Sequence, residues 1–283
     1  DSNTILMTGN ITTTNIEQAD GIYLSGSDNN TITINGNIVT SNSSSSSHSI
    51  LLNNDSDNNT FNLSGLIQSK EEENETIYIA DAASQNNTFS FGEGASVIGG
   101  FNNEGTSTTI TNQGAIDTLS NSGTMTLFNN SGSNTLLSNT GTIASLTNSG
   151  TVASFNNSGT NTTLSNTGTI ASLTNSGTIT TLNNENAITS LTNSGDMTTL
   201  DNSGSISTIR NNGSINTFTN SETTDLLTNL GSIDTFSNSG TINRLINSST
   251  INNGIANTGT ISSFTNLRTV NNGISNTGTI TSL

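Results

Sequence analysis

The stretch "LSNTGTIASLTNSGT" occupies residues 137–151 and recurs without a change at residues 164–178. Across this region glycine falls every nine residues, as at Gly132, Gly141 and Gly150, and an asparagine stands two positions before each of these glycines. The unit is therefore nine residues long and reads roughly Gly-Thr-Ile-x-x-Leu-x-Asn-Ser. A short repeat of fixed length predicts units that stack on one another rather than an ordinary round core.

The residues of the unit favour strands over helices. Nine helical residues make about two and a half turns, so successive units would turn their apolar residues to opposite faces, and Gly, Asn, Ser and Thr are poor helix formers. The apolar positions, such as Ile143 and Leu146, lie three apart. A strand with a period of two cannot place both on one side, so we expect a bend or bulge inside the unit. The Asn-Ser-Gly triplet predicts a corner, because Asn and Gly tolerate positive φ.

The opening repeat also suggests the length of the coil. From residue 137 to residue 164 is 27 residues, or three units. We therefore predict an all-β fold, a parallel β-helix (β-solenoid) with triangular coils of about 27 residues made of three nine-residue units. Two pairs of exceptions share this offset: Asn134 and Asn161 replace the usual Ile, and Glu222 and Ser249 replace the usual Gly. Each pair is expected to stack.

The first hundred residues have the same period with a different unit. Motifs of the type "NNTITI" recur 27, 29 and 28 residues apart. The threonines that begin their strands are Thr4, Thr31, Thr60 and Thr88. Irregular stretches at 13–20, 41–48 and 69–75 fall at a similar offset in each coil, so one corner is expected to carry variable loops.

We divide the chain by repeat type into residues 1–104 (N-terminal coils with corner loops), 105–249 (the regular nine-residue array) and 250–283 (C-terminal coils). In the last segment "TINNGIANTG" at Thr250 and "TVNNGISNTG" at Thr269 are 19 apart, a nine and a ten. The sequence leaves open whether the triangle continues with one extra residue or changes its cross-section. The chain stops in mid-unit at Leu283, so we expect the natural protein to continue.

The invariant asparagine predicts a structural ladder. Stacked amides that hydrogen-bond from coil to coil stabilise stacked-strand structures. The residues assigned to this role are Asn121, Asn130, Asn139, Asn148, Asn157, Asn166, Asn175, Asn184, Asn193 and Asn202.

Coils built on "NNTITINGNI" and "GIYLSG", followed by a long "NSGTI" array, resemble the passenger domains of bacterial autotransporters and related type V secreted surface proteins. The resemblance covers nearly the whole chain and is one of pattern and composition. It implies a right-handed parallel β-helix at the bacterial cell surface or outside the cell, with roles in adhesion, self-aggregation and biofilm. The membrane barrel that ends such proteins is missing from this sequence, which leaves the export route open.

Composition excludes several classes of partner. The net charge is -16, and the cations are Lys70, Arg210, Arg244 and Arg268. Nucleic acid requires a basic surface that this chain lacks. No apolar run approaches the roughly 20 residues of a membrane span, so we expect no direct membrane insertion of this segment. There is no Cys, which removes disulfides and thiolate metal sites.

No catalytic, cofactor-binding or metal-binding residue is assigned. Acids are scattered through the array, and His48, the single histidine, is interpreted as a loop residue. The acidic segment at 71–75 is interpreted as a solvated loop, with Ca²⁺ bound by carboxylate oxygens as the alternative. The expected contact loops contain Ser43, His48, Lys70, Glu71, Glu72, Glu73 and Glu75.

The function that these observations favour is a non-enzymatic extracellular β-solenoid for adhesion, self-association or biofilm formation through repetitive Asn, Thr and Ser faces. Its expected partner is a second copy, or a glycan or protein of a host or cell surface. The main alternative is a structural subunit of an extracellular filament or sheath. An ice-binding solenoid, suggested by ranks of Thr, and a polysaccharide-active enzyme come behind. The receptor, the organism, the handedness of the coil and the oligomeric state stay open.

Overall fold

The computed structural model describes residues 2–14, 19–41, 47–69 and 75–283. These described residues contain β-strands and no helix. The strands pair in parallel, one coil above the next. The protein is therefore an all-β parallel β-solenoid. It forms two compact units, Asp1–Thr151 and Val152–Leu283. These units are defined by packing, so the division by repeat type at 104/105 and 249/250 stays a prediction.

The first unit contains short strands followed by seven-residue strands. They are Thr4–Met7 (β1), Ile11–Thr13 (β2), Ile22–Ser25 (β3), Thr31–Asn35 (β4), Ile38–Thr40 (β5), Ile50–Asn53 (β6), Thr60–Ser64 (β7), Leu66–Ser69 (β8), Ile77–Ile79 (β9), Thr88–Phe91 (β10), Ser96–Asn103 (β11), Thr108–Asn112 (β12), Ala115–Asn121 (β13), Thr124–Asn130 (β14), Ser133–Asn139 (β15) and Thr142–Asn148 (β16).

Strand β17 (Thr151–Asn157) begins at the boundary, and the remaining strands belong to the second unit. They are Thr160–Asn166 (β18), Thr169–Asn175 (β19), Thr178–Asn184 (β20), Ala187–Asn193 (β21), Asp196–Asn202 (β22), Ser205–Asn211 (β23), Ser214–Asn220 (β24), Thr223–Asn229 (β25), Ser232–Asn238 (β26), Thr241–Asn247 (β27), Thr250–Ile251 (β28), Ile255–Asn257 (β29), Thr260–Asn266 (β30), Thr269–Val270 (β31), Ile274–Asn276 (β32) and Thr279–Ile280 (β33).

The coil of the regular array has two sides, so the predicted triangle of three units is wrong there. Strand β20 pairs with β22, placing Leu182 beside Leu200, and β21 pairs with β23. Stacked positions are therefore 18 residues apart, as are Asn184 and Asn202, and each nine-residue unit is one side. The apolar residues of the two facing sheets fill the space between them. Facing sheets typically pack about 10 Å apart, which is the distance that such side chains span. The exact repeat at 27 residues, or three units, therefore spans one and a half coils. It reflects a duplication within the sequence and not the length of a coil.

The paired exceptions therefore do not stack. Glu222 follows β24 and Ser249 follows β27, and these strands belong to opposite sheets of the second unit. Asn134 lies beside Ile116, and Asn161 lies beside Ile179. Each polar residue in the core has an ordinary Ile as a neighbour.

The expected irregularity lies in the middle of each strand. In β16 the side chains of Ile143, Leu146 and Asn148 are buried, whereas Ala144 and Ser145 both point outward. Pairing of β14 with β16 passes from Ile143 to Ser145 and skips Ala144. Two successive outward residues bring apolar positions three apart onto the same side.

The array glycines are needed for close approach rather than for positive φ. Positive φ occurs at five glycines of the described residues, and Gly213 is not among them. A Cβ on Gly213 would lie 2.1 Å from the carbonyl oxygen of Gly195 in the coil below. The backbones therefore meet at this corner at a distance that only glycine accommodates without movement.

The N-terminal coils have the length that their motifs indicate, but they also have two faces. Successive positions lie 27, 29 and 28 residues apart, from Asn3 through Asn30 and Asn59 to Asn87. Strand β11 pairs through its first residues with β8 and through its last residues with β9. Strands β8 and β9 therefore lie on one face rather than on two sides of a corner, and residues 70–74 between them lie outside the described part of the chain. Strands β5 and β6 pair with β8 and β9 in the same arrangement.

The C-terminal coils keep two sides and take up one extra residue. Strand β27 pairs with β30, placing Thr241 beside Thr260, which is one residue further along than in the regular array. On the other side β26 pairs with β28 and then with β29, and Gly254 lies between them at a φ of +84°. The extra residue is therefore a bulge in one strand.

Candidate functional site

Asparagine side chains form two ladders in each unit. All ten predicted ladder residues, from Asn121 to Asn202 in steps of nine, are buried. Because successive strands alternate between sheets, neighbours within a ladder are 18 residues apart. In the second unit Asn175 donates from Nδ2 to Oδ1 of Asn193 at 2.8 Å, and Asn184 donates to Asn202 at 2.8 Å.

Each ladder amide also fastens the corner next to it. The Nδ2 group of Asn193 lies 2.9 Å from Oδ1 of Asn211, 3.1 Å from the carbonyl oxygen of Gly195 and 3.0 Å from that of Ser214. One side chain thus satisfies backbone carbonyls of its own coil and of the next. The ladder is a structural element and leaves little capacity for a ligand.

The N-terminal coils contain a further ladder that sequence reasoning missed. Asn3 donates to Oδ1 of Asn30, and Asn30 donates to Oδ1 of Asn59, both at 3.0 Å. The signal was present in the "NNT" motif. The first Asn of the pair, such as Asn29 or Asn58, adopts a positive φ of 59° or 56°, and the second Asn enters the ladder.

One outer face of the second unit carries a continuous rank of threonines. We call the outer side of β18, β20, β22, β24, β26, β28, β29, β31 and β32 the A face. Threonines at one strand position lie beside each other on five successive strands. They are Thr163, Thr181, Thr199, Thr217 and Thr235. Neighbouring threonines repeat at the strand spacing of about 4.8 Å.

The opposite outer face differs in chemistry. We call the outer side of β19, β21, β23, β25, β27, β30 and β33 the B face. At the equivalent strand position Ser190 and Thr208 are followed by Leu226 and Arg244. The B face therefore lacks the continuous threonine rank.

Charges are also divided between these faces. The strands of the A face contain Asp196, Asp201 and Asp234 and no Lys or Arg. The strands of the B face contain Arg210 and Arg244 with Asp225. Both arginines are exposed, so the two faces differ in sign of charge.

Three acids of the second unit accept hydrogen bonds from neutral side chains. Asp196 accepts from the hydroxyl of Ser214, and Asp225 accepts from Nδ2 of Asn243 at 2.8 Å. Asp234 accepts from Asn252. In each case the partner lies on the next coil of the same side.

In the first unit His48 joins two acids from neighbouring coils. Its Nδ1 lies 3.0 Å from Oδ1 of Asp20, and its Nε2 lies 3.3 Å from Oε2 of Glu75. The backbone N–H of His48 also donates to Asp20 at 2.8 Å. The imidazole side chain is only 7% exposed. Interpreting His48 as a loop residue missed this cluster, whose signal is the spacing of 28 and 27 residues, one coil each way.

The acids determine how the cluster titrates. Burial lowers the pKa of His48, but hydrogen bonds to Asp20 and Glu75 and their negative charges outweigh burial and raise that pKa above 6.5. The ring of Tyr78 lies 5.5 Å from the imidazole. Burial, a hydrogen bond to Glu104 and the surrounding acids raise the pKa of Tyr78 to about 12.

Of the predicted contact loops, only the ends are described. His48 and Glu75 are brought together in the cluster, whereas Ser43, Lys70, Glu71, Glu72 and Glu73 lie outside the described residues. Within the described part of the chain, no three His, Asp or Glu side chains are placed to hold a metal ion. Calcium binding at the acidic segment stays a prediction.

Two open grooves occur on the first unit. One, of about 460 Å³, is lined by Ala19, Asp20, Tyr23, Leu51 and Asn53, next to the His48 cluster. The other, of about 360 Å³, is lined mostly by neutral amides and hydroxyls, including Asn62 and Gln113. The lining of the second groove contains no acid or base, whereas the first includes the carboxylate of Asp20, which is hydrogen-bonded to His48.

No family model matches the chain, and no curated protein or solved structure matches it significantly. Over residues 2–14, 19–41, 47–69 and 75–283, no helix has the length and hydropathy to cross a bilayer. The class that the fold defines is therefore the parallel β-solenoid, a repeat protein.

Proposed function

We propose that this chain is a non-enzymatic β-solenoid of the bacterial cell surface or extracellular space, acting in adhesion, self-association or biofilm formation. The observation that carries the proposal is the A face, where threonines repeat in register on five strands. A flat face of this kind offers many equivalent weak contacts, which together give avidity without a pocket.

The distribution of chemistry supports a binding surface over an enzyme. Asp196, Asp225 and Asp234 accept hydrogen bonds from Ser or Asn of the next coil. The ladder asparagines are buried and bonded to each other. Outward Thr, Ser and Asn, together with a few exposed Asp and Arg side chains, are thus the groups available to a partner, which we propose is a second copy or a surface glycan or protein.

The test substitutes lysine into the threonine rank. Thr181→Lys, Thr199→Lys and Thr217→Lys together place three long cations on the A face while leaving the core intact. Chain-coated beads should clump for the unmodified protein, and the triple variant should abolish clumping. Loss is expected because long, strongly hydrated cations on the threonine rank disrupt close contact with a partner surface.

The matched control places the same three charges on a corner. Ser176→Lys, Ser194→Lys and Asn212→Lys are exposed turn positions on the same run of coils. The control should clump like the unmodified chain. Equal clumping of both triple variants, or no clumping of the unmodified beads, would argue against association through the A face.

A further inference from the structure

We infer that self-association is heterologous: the A face of one copy packs on the B face of the next. This inference rests on the proposed function and names the partner surface. Its basis is the juxtaposition, on two sides of one thin coil, of an acidic threonine face and a face bearing two exposed arginines.

Charge favours the mixed pairing over the symmetric ones. Packing the A face on its own copy brings Asp196, Asp201 and Asp234 of both chains together with no described cation on either face. Packing the B face on its own copy brings together two surfaces that each carry Arg210 and Arg244 with Asp225 as the single strand acid. Like charges brought together across an interface cost several kcal/mol, whereas the mixed pairing places arginine opposite aspartate.

The faces are large enough for a stable contact. The A face has seven strand levels in the second unit, counting β28 with β29 and β31 with β32. At about 4.8 Å per strand and 3.3 Å per residue, its area is on the order of 800 Å². Standard protein interfaces bury about 800 Å² on each partner.

The geometry has a consequence for assembly. A symmetric contact closes after two copies, whereas a contact between two different faces leaves one of each free on every complex. Each added chain can therefore accept another. Association through the A and B faces builds open-ended side-by-side arrays, which favours a sheet or filament over a closed pair.

Complementary charge reversal tests this assignment. One variant carries Asp196→Arg and Asp201→Arg, so both of its faces are basic; the other carries Arg210→Glu and Arg244→Glu, so both are acidic. All four positions are exposed. Each variant alone should associate at least about tenfold more weakly than the unmodified chain. An equimolar mixture should recover association, measured by sedimentation velocity at about 50 mM salt.

The outcomes distinguish failure of the face assignment from failure of self-association. Recovery in the mixture supports heterologous packing and shows that both variants are folded. If the unmodified chain associates and each variant alone associates equally well, the face assignment is overturned. The same holds if the mixture associates no more strongly than its components. In both cases the proposed function is left standing. An unmodified chain that stays monomeric overturns self-association itself.

Discussion

Individual buried side chains hold neighbouring coils of this solenoid together, and the ladder asparagine is the clearest case. Asn193→Ala removes the donor to Asn211 and to two backbone carbonyls. An unsatisfied buried group costs about 1 to 3 kcal/mol, so we expect at least that loss in the free energy of unfolding by denaturant. Asn193→Asp should be worse at pH 7, because a buried carboxylate cannot donate.

The control for the ladder is Asn216→Ala. Asn216 is an exposed asparagine on β24, and its removal should change the free energy of unfolding by less than about 0.5 kcal/mol. Equal effects at positions 193 and 216 would contradict the ladder.

His48 makes the first unit sensitive to pH. Its folded pKa lies above 6.5, so the stabilisation from Asp20 and Glu75 is fully present below pH 6.5 and is lost as pH rises through the folded value. Tyr78 packs beside the imidazole and is hydrogen-bonded to Glu104, and neither residue supplies a cation. His48→Gln should lower the free energy of unfolding by about 1 to 3 kcal/mol at pH 5 and by much less at pH 9.

NMR titration of the single imidazole checks this directly. We expect a midpoint above 6.5 for the unmodified chain, as its raised pKa indicates, and a downward shift in Asp20→Asn. A midpoint at or below 6.5 would mean that burial outweighs the two acids in setting the pKa of His48.

At the scale of the strand, the corner glycine sets how closely coils approach. Where glycine occupies the slot, the next N–H reaches the carbonyl below at 2.9 Å, as from Ser232 to Gly213. Where Glu222 or Ser249 occupies it, the equivalent bonds from Thr223 and Thr250 lengthen to 3.1 and 3.4 Å. A Cβ therefore separates the backbones at this corner.

Gly213→Ala should accordingly destabilise the chain by about 1 to 3 kcal/mol, although alanine elsewhere gains backbone entropy. Glu222→Gly should allow the tighter contact and slow hydrogen exchange at that corner. Gly94→Ala is the control, since its Cβ would meet no atom within 4 Å. A neutral Gly213→Ala would show that the corner relaxes freely.

The same elements show what sequence could and could not predict. The nine-residue unit, its internal irregularity and its stacking follow from the spacing of Ile143, Leu146 and Asn148. The number of sides in a coil does not follow from this spacing, because a short corner fits a coil of two or of three sides. The repeat of three units at 27 residues was therefore mistaken for a three-sided coil. His48 was missed because its partners, Asp20 and Glu75, lie 28 and 27 residues away and become adjacent only when the coils close.

At the scale of the molecule, the outward polar and charged residues of the second unit differ between the A face and the B face. In the second unit the threonine rank lies on the A face with Asp196, Asp201 and Asp234, whereas Arg210 and Arg244 lie on the B face with Asp225. Salt should therefore weaken association, because charges screened over about 8 Å at physiological ionic strength are screened over about 3 Å at 1 M. Light scattering in about 0.05 and 1 M salt measures this; larger assemblies at high salt would point to an apolar contact instead.

The most direct test of association between copies is sedimentation velocity of the unmodified chain over a wide range of concentration at low salt. We predict a sedimentation coefficient that keeps rising with concentration, without a plateau at the dimer. A single species that is independent of concentration would contradict association between copies, and a plateau at the dimer would contradict the heterologous packing of the A and B faces.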